Sequence, residues 1–202
     1  MFCCEYDIVC LSETWLNTSV LNSEICPGHF HIVRADRNFE KMNVSRGGGV
    51  LLAARQPVAV YSLDLSSKGF NDLQFTDLLG VKCSLGQVSL YIFVVYIQPG
   101  ACTDEFELLF DLLGNLPDLY NRRVIIVGDF NISDYDFTSS RASNCSRKSS
   151  ILQNFLQFGE YQQYNNVGNI NGRCLDLVIS NFNCTVQKSA DPMLKEDNHH
   201  PS

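Results

Sequence analysis

Eight segments of the chain are either continuously apolar or alternate apolar with polar residues: "YDIVCL", "HFHIVRADR", "GGVLLAAR", "PVAVYSL", "FTDLLGVKCSL", "VSLYIFVVYI", "VIIVGDF" and "CLDLVIS". Runs of this length, rich in β-branched and aromatic residues, predict strands, some half-exposed and some buried on both faces. Two segments carry helical spacing instead. From Thr103, "TDEFELLFDLLGNLPDLY" opens with an acidic first turn and puts Phe106, Leu109, Phe110 and Leu113 on one face. Near Ser149, "SSILQNFLQFGEYQQYN" offers Ser149 or Ser150 as N-cap, Ile151, Leu152, Phe155 and Leu156 as one face, and Gly159 as the stop.

Consecutive strands with few helices, rather than strict alternation, predict an α/β sandwich of mixed or antiparallel sheets with helices packed outside. No linker composition divides the chain, so one domain over residues 1–202 is expected. The polar stretch from Asp134 to Ser150 reads as a long loop directly after a strand exit, a place where sites are often served.

Composition narrows the classes. A net charge of -7 and a pI near 5.0 argue against binding nucleic acid through a broad basic surface. They leave room for a metal-dependent nuclease, whose acidic cluster is offset by the cation it binds. Nine cysteines occur with no C-x-x-C pair and no secretory leader in the opening residues, so reduced thiols inside a cell are expected. No run approaches the ~20 apolar residues of a membrane span.

Against this apolar background, polar residues at strand ends stand out: Glu13 after "DIVCLS", Tyr96 in "FVVYIQPG", Asp129 and Asn131 after "VIIVG", Asp176 in "CLDLVIS", and Asp197 with His199 and His200 near the last residue. Each alone has an ordinary reading, as a turn acid, an Asx turn, a sheet aromatic, a hydrogen-bonded buried Asp or a solvated tail. Together they supply hard oxygen donors for Mg²⁺ and a group that titrates near neutral pH. The two-residue spacing of Asp129 and Asn131 sets both on one face if the chain stays extended. Metal, base and phosphate-orienting groups are the parts that phosphoester hydrolysis needs.

The order of "YDIVCLSETWL", "RADR" with "RGGGVLLAA", "VVYIQPG", "VIIVGDFNI", "GRCLDLVISN" and "EDNHHPS" resembles the endonuclease/exonuclease/phosphatase superfamily. Within it, the sequence is most similar to the apurinic-type endonuclease domain of non-LTR (LINE-type) retrotransposons. The resemblance implies a four-layer α/β sandwich, two mixed β-sheets face to face with helices outside. It also implies Mg²⁺, with Mn²⁺ as a substitute, a DNA substrate, a reverse-transcriptase region in the intact element, and an intracellular, nuclear place of action. Residue by residue, Glu13 falls on the metal-binding Glu and Tyr96 on the active-site Tyr. Asp129 falls on the Asp that activates water, Asn131 on the Asn that orients the phosphate, and Asp176 on the Asp that assists leaving-group stabilisation or substrate positioning.

The last motif departs from the family pattern. Counting back from Pro201 sets His199 as the catalytic His and Asn198 where an Asp is expected, with Asp197 one position earlier and expected to act as a metal ligand. The family's first strand with its Asn, and its last strand, have no counterpart, so a domain truncated at both ends is expected. Two other outcomes stay open: a phosphatase of another branch, and an inactive remnant or binding module of the same fold. Gly47, Gly48 and Gly49 read as a tight turn into "VLLAA". Arg34, Arg37 and Arg46 read either as contacts to a substrate backbone or as solvated surface.

Overall fold

The computed structural model describes residues 6–26, 28–42, 46–132 and 146–190. In chain order its elements are β1 (Ile8–Ser12), α1 (Asn22–Ile25), β2 (Phe30–Ala35), α2 (Phe39–Met42), β3 (Val50–Arg55), β4 (Ala59–Ser62), β5 (Thr76–Leu85) and β6 (Val88–Ile97). Then follow α3 (Thr103–Gly114), β7 (Val124–Asp129), α4 (Arg147–Phe158), β8 (Gln162–Gln163) and β9 (Asp176–Ser180). All eight expected strands are present. The two-residue β8 and the single-turn α1 and α2 are too short to leave a periodic signal in the sequence.

The strands form two sheets. One has three strands in the order β1-β3-β2 and is antiparallel throughout. The other has six in the order β4-β5-β6-β7-β9-β8, mixed because β6 and β7 run parallel. A parallel neighbour requires a crossover connection, and α3 supplies it. Val50, Leu52 and Ala54 of β3 face Leu79, Val81, Ile92 and Val94 of the larger sheet in the core between the sheets. Phe93, Val95, Ile126, Leu177 and Ile179 point the other way, onto Phe106, Leu109 and Phe110 of α3 and Leu152 and Phe155 of α4. Leu51 and Ala53 face outward from the small sheet onto Cys26 and Phe30, beside α1. Helices, sheet, sheet and the thin α1 layer stack as the expected four-layer α/β sandwich.

The helix α3 begins at Thr103, where the sequence opens it, whereas α4 is capped three to four residues ahead of its expected caps. In α3 the cap position is Cys102, which makes no side-chain hydrogen bond, and Thr103 is already helical. In α4 Ser146, rather than Ser149 or Ser150, caps the helix by accepting from the Ser149 amide at 3.3 Å. Once Ser146 serves the first orphan amides, the later serines lie inside the helix. Glu105 in the first turn of α3 is buried and accepts from the Gln74 amide at 3.0 Å, the Phe75 amide at 2.8 Å and the Thr76 hydroxyl at 2.8 Å. Those three bonds fix where β5 starts, and so the position of Asp77 one residue later. Each apolar residue buried along α3 contributes about 1.5–3 kcal/mol, so the helix and the sheet end it clamps are held together firmly.

Candidate active site

Four adjacent strands of the large sheet carry a polar residue at the same level. Asp77 of β5 pairs with Tyr96 of β6, Tyr96 with Asp129 of β7, and Asp129 with Asp176 of β9. Cross-strand partners project to the same face. Their neighbours one residue away, Ile97, Phe130 and Leu177, lie in the helix-side core, while Tyr96 belongs to the core between the sheets. The row therefore faces the gap between the two sheets. Asp77, Tyr96 and Asp129 are 7%, 3% and 2% exposed, and Asp176 is half-buried.

A close approach of backbone makes this level possible. Gly128 has φ +138°, and a Cβ there would lie 1.8 Å from the Val95 carbonyl oxygen. Only glycine lets β7 sit against β6 with Asp129 beside Tyr96. Beyond the strand, Asn131 takes φ +51°, a left-handed conformation that asparagine tolerates better than most residues. Its backbone amide donates to Asp129 Oδ1 at 2.9 Å, and its side-chain amide donates to Asp129 Oδ2 at 2.8 Å and to the Ile97 carbonyl at 2.8 Å. Asp129 is thus gripped on both carboxylate oxygens, and Phe130 between the two residues is fully buried on the helix side.

The small sheet completes the site from the opposite wall. After β1 the backbone turns through Glu13 at φ +53° and Trp15 at φ +55°. The Thr14 and Trp15 amides donate to the carbonyls of Gly49 at 3.2 Å and Gly48 at 2.9 Å. The Tyr96 hydroxyl donates to Glu13 Oε1 across the gap. Burial pushes the Tyr96 phenol above its ordinary range, and the Glu13 carboxylate raises it further as acceptor and as charge, against the lowering pull of Arg37. Tyr96 is therefore a standing donor at neutral pH.

Arg37 corrects its expected role. It neither faces a substrate nor lies in solvent, but is 6% exposed and donates to Asp77 Oδ2 through Nε at 2.9 Å and Nη2 at 2.7 Å. Its guanidinium carbon lies 5.0 Å from the centre of the Tyr96 ring. Gly48 has φ +71°, and a Cβ there would come within 2.1 Å of the guanidinium, so the glycine run is a turn shaped to admit Arg37. The Gly49 amide adds a third donor to Asp77 Oδ2 at 2.9 Å. Arg34 pairs with Asp36 at 3.3 Å, and Arg46 is exposed beside Trp15.

Carboxylate oxygens are hard donors of the kind Mg²⁺ takes. Among the described residues no three acidic, His or Cys side chains close on one point. The donors fit the usual Mg²⁺ mode, one or two carboxylates with several waters, rather than an all-protein cage. Asp197, His199 and His200 lie outside the described residues, as do residues 133–145, where most of the expected loop falls. Among the described residues no helix is long and apolar enough to cross a membrane.

The profile of the endonuclease/exonuclease/phosphatase family matches residues 4–189. The chain belongs to that family. Three solved structures with its fold are the endonuclease domain of TRAS1, a telomere-specific non-LTR retrotransposon, the catalytic domain of Xenopus laevis APE2, and a mannosyl-6-phosphatase of Bacteroides thetaiotaomicron. The TRAS1 domain is 10% identical with a TM-score of 0.58, covering 86% of this chain and 71% of that one. APE2 is 14% identical with a TM-score of 0.55, covering 88% and 74%. The phosphatase is 14% identical with a TM-score of 0.53, covering 87% and 71%. No curated protein matches the chain.

Of the residues singled out by sequence, the family fold brings Glu13, Tyr96, Asp129, Asn131 and Asp176 to one end of the sandwich. Asp77 was missed, although a carboxylate in "FTDLLGVKCSL" carries its own signal. A buried Asp needs a partner, and the cation in "RADR" is the one it finds.

Proposed function

We propose that this chain hydrolyses phosphodiester bonds and nicks DNA, in the manner of the retrotransposon endonuclease whose domain shares its fold. The observation that carries the reading is the row of Tyr96, Asp129 and Asp176 across three strands, with Glu13 bound to Tyr96 and Asn131 bound to Asp129.

Asp129 accepts the proton of the attacking water, a role that needs a carboxylate held in one orientation. Asn131 holds it: both side-chain amide hydrogens are committed, to Asp129 and to the Ile97 carbonyl. The phosphate-orienting role implied by the resemblance therefore requires this amide to turn when substrate binds. Tyr96, protonated through neutral pH, fixes one oxygen of Glu13 and leaves the other for a cation. Glu13 is the described residue that would hold Mg²⁺ or Mn²⁺, with Asp197 as the second ligand expected from sequence. A bound ion would supply charge stabilisation for the phosphoryl oxygens. Asp176 positions the leaving group, and His199 is the expected proton donor.

Supercoiled plasmid incubated with the chain and Mg²⁺ tests the reading. Relaxed circles should form, and Asp129→Ala should abolish them while leaving the circular dichroism spectrum unchanged. Equal nicking by Asp129→Ala would sink the assignment. Release of inorganic phosphate from a phosphomonoester without nicking would instead assign a phosphatase.

A further inference from the structure

We propose that Trp15 and Arg46 form a platform on which a nucleobase adjacent to the scissile phosphate stacks. The inference rests on the phosphodiesterase reading above and adds to it the part of the substrate that this rim recognises.

Trp15 is the sole tryptophan of the chain, and 52% of it is exposed. Exposure alone says little, since Tyr120 and Phe158 are more exposed still. The position of Trp15 says more. Trp15 follows Glu13 by two residues on the same loop, so the backbone that carries it also carries the carboxylate that bonds Tyr96. The loop is also braced. Trp15 has φ +55°, and its amide donates to the Gly48 carbonyl at 2.9 Å. The next residue, Gly49, donates to Asp77. The indole is therefore presented at little entropic cost, by the same backbone that assembles the site.

Arg46 adds a charge. Its guanidinium carbon lies 5.6 Å from the centre of the Trp15 ring. In a chain of net charge -7, attraction for a polyanion must be local, and here a cation and an aromatic face meet on the loop that carries Glu13. A nucleotide offers the complementary pair, a flat base and a phosphate. Aromatic stacking with an arginine alongside is the physical basis of sequence-tolerant binding to unpaired bases.

As the sole indole, Trp15 reports on its own occupancy. The whole chain is titrated in EDTA, where no turnover intervenes, with a short single-stranded oligonucleotide and with a strand of equal length carrying abasic residues. The base-containing strand should quench Trp15 fluorescence saturably and bind more tightly than the abasic one. Trp15→Ala, followed by anisotropy of labelled DNA, should lose roughly 5- to 150-fold in affinity for the base-containing strand, the worth of one base stack. It should leave abasic binding unchanged, and Trp15→Phe should recover most of the loss. Equal quenching and affinity for both strands, or a Trp15→Ala variant that binds as the parent does, would overturn the platform. Plasmid nicking by the parent chain keeps the two readings apart. Nicking without base-dependent binding removes the platform alone, whereas a chain that neither nicks nor binds DNA removes both.

Discussion

Arg37 and Asp77 form a buried ion pair at 2.7 Å that joins the loop after β2 in the small sheet to β5 in the large one. The pair lies under the Tyr96 ring and beside the glycine turn, so it sets the gap in which Glu13 meets Tyr96. Removing one member leaves the other charged and desolvated, which costs about 3–5 kcal/mol. Arg37→Met should lower stability by that order. Adding Asp77→Asn should restore much of it, because the amide still accepts from Gly49 and no longer carries an unpaired charge. Urea midpoints of the parent, the two single variants and the double variant form the cycle, and strictly additive losses would show that the two residues do not act as a pair.

Gly128 makes a sharper demand. With the Val95 oxygen 1.8 Å from an added Cβ, Gly128→Ala cannot be accommodated by a rotamer change, because the obstacle is backbone. The loss in stability should exceed the ~1–3 kcal/mol of ordinary overpacking. The thermal midpoint by circular dichroism measures it. A midpoint within a few degrees of the parent would mean that β6 and β7 separate easily at this level.

The strands were legible in the sequence because burial on one or both faces dictates period, and every predicted strand has its counterpart. The site was legible where a polar residue interrupts an apolar strand, as at Tyr96, Asp129 and Asp176. What the sequence concealed are relationships across long separations. Asp77 and Arg37 are 40 residues apart, and nothing local to either marks the other. The start of α4 moved because several serines near Ser149 compete as caps, and geometry alone selects Ser146. Trp15 was hidden differently, since an aromatic beside a strand is ordinarily core, and only the structure shows it half-exposed with Arg46 over its ring.

Burial gives a signed dependence on pH. It pushes the Cys10 thiol up to about 12 and the Cys83 and Cys174 thiols up to about 11. In the unfolded chain these thiols titrate near ~8.5. Raised folded values favour the protonated fold, so their contribution is complete below about pH 8.5 and is lost as pH rises through about 11 to 12. Denaturation in urea at pH 7 and pH 10 should show lower stability at pH 10. The same burial predicts labelling order. Iodoacetamide at pH 8 should modify exposed Cys102 well before Cys10, Cys26 or Cys83. Peptide mapping that finds Cys83 modified as early as Cys102 would contradict the packing between the sheets.

Asn131 combines a backbone requirement with a side-chain one, and two substitutions separate them. Its φ of +51° suits glycine and disfavours alanine, a difference of ~1–2 kcal/mol. Its side chain supplies one of the two hydrogen bonds that Asn131 donates to Asp129. Asn131→Gly should keep the turn and stay close to the parent in stability, whereas Asn131→Ala should be less stable by about that difference. If the side chain orients the base, both variants should nick plasmid DNA more slowly by a similar factor, roughly 10²–10³ as for the loss of a positioned donor. A normal rate in Asn131→Gly with a slow rate in Asn131→Ala would assign the residue to the turn alone. Equal stability of the two variants would mean that residue 131 leaves the left-handed region when its side chain is removed.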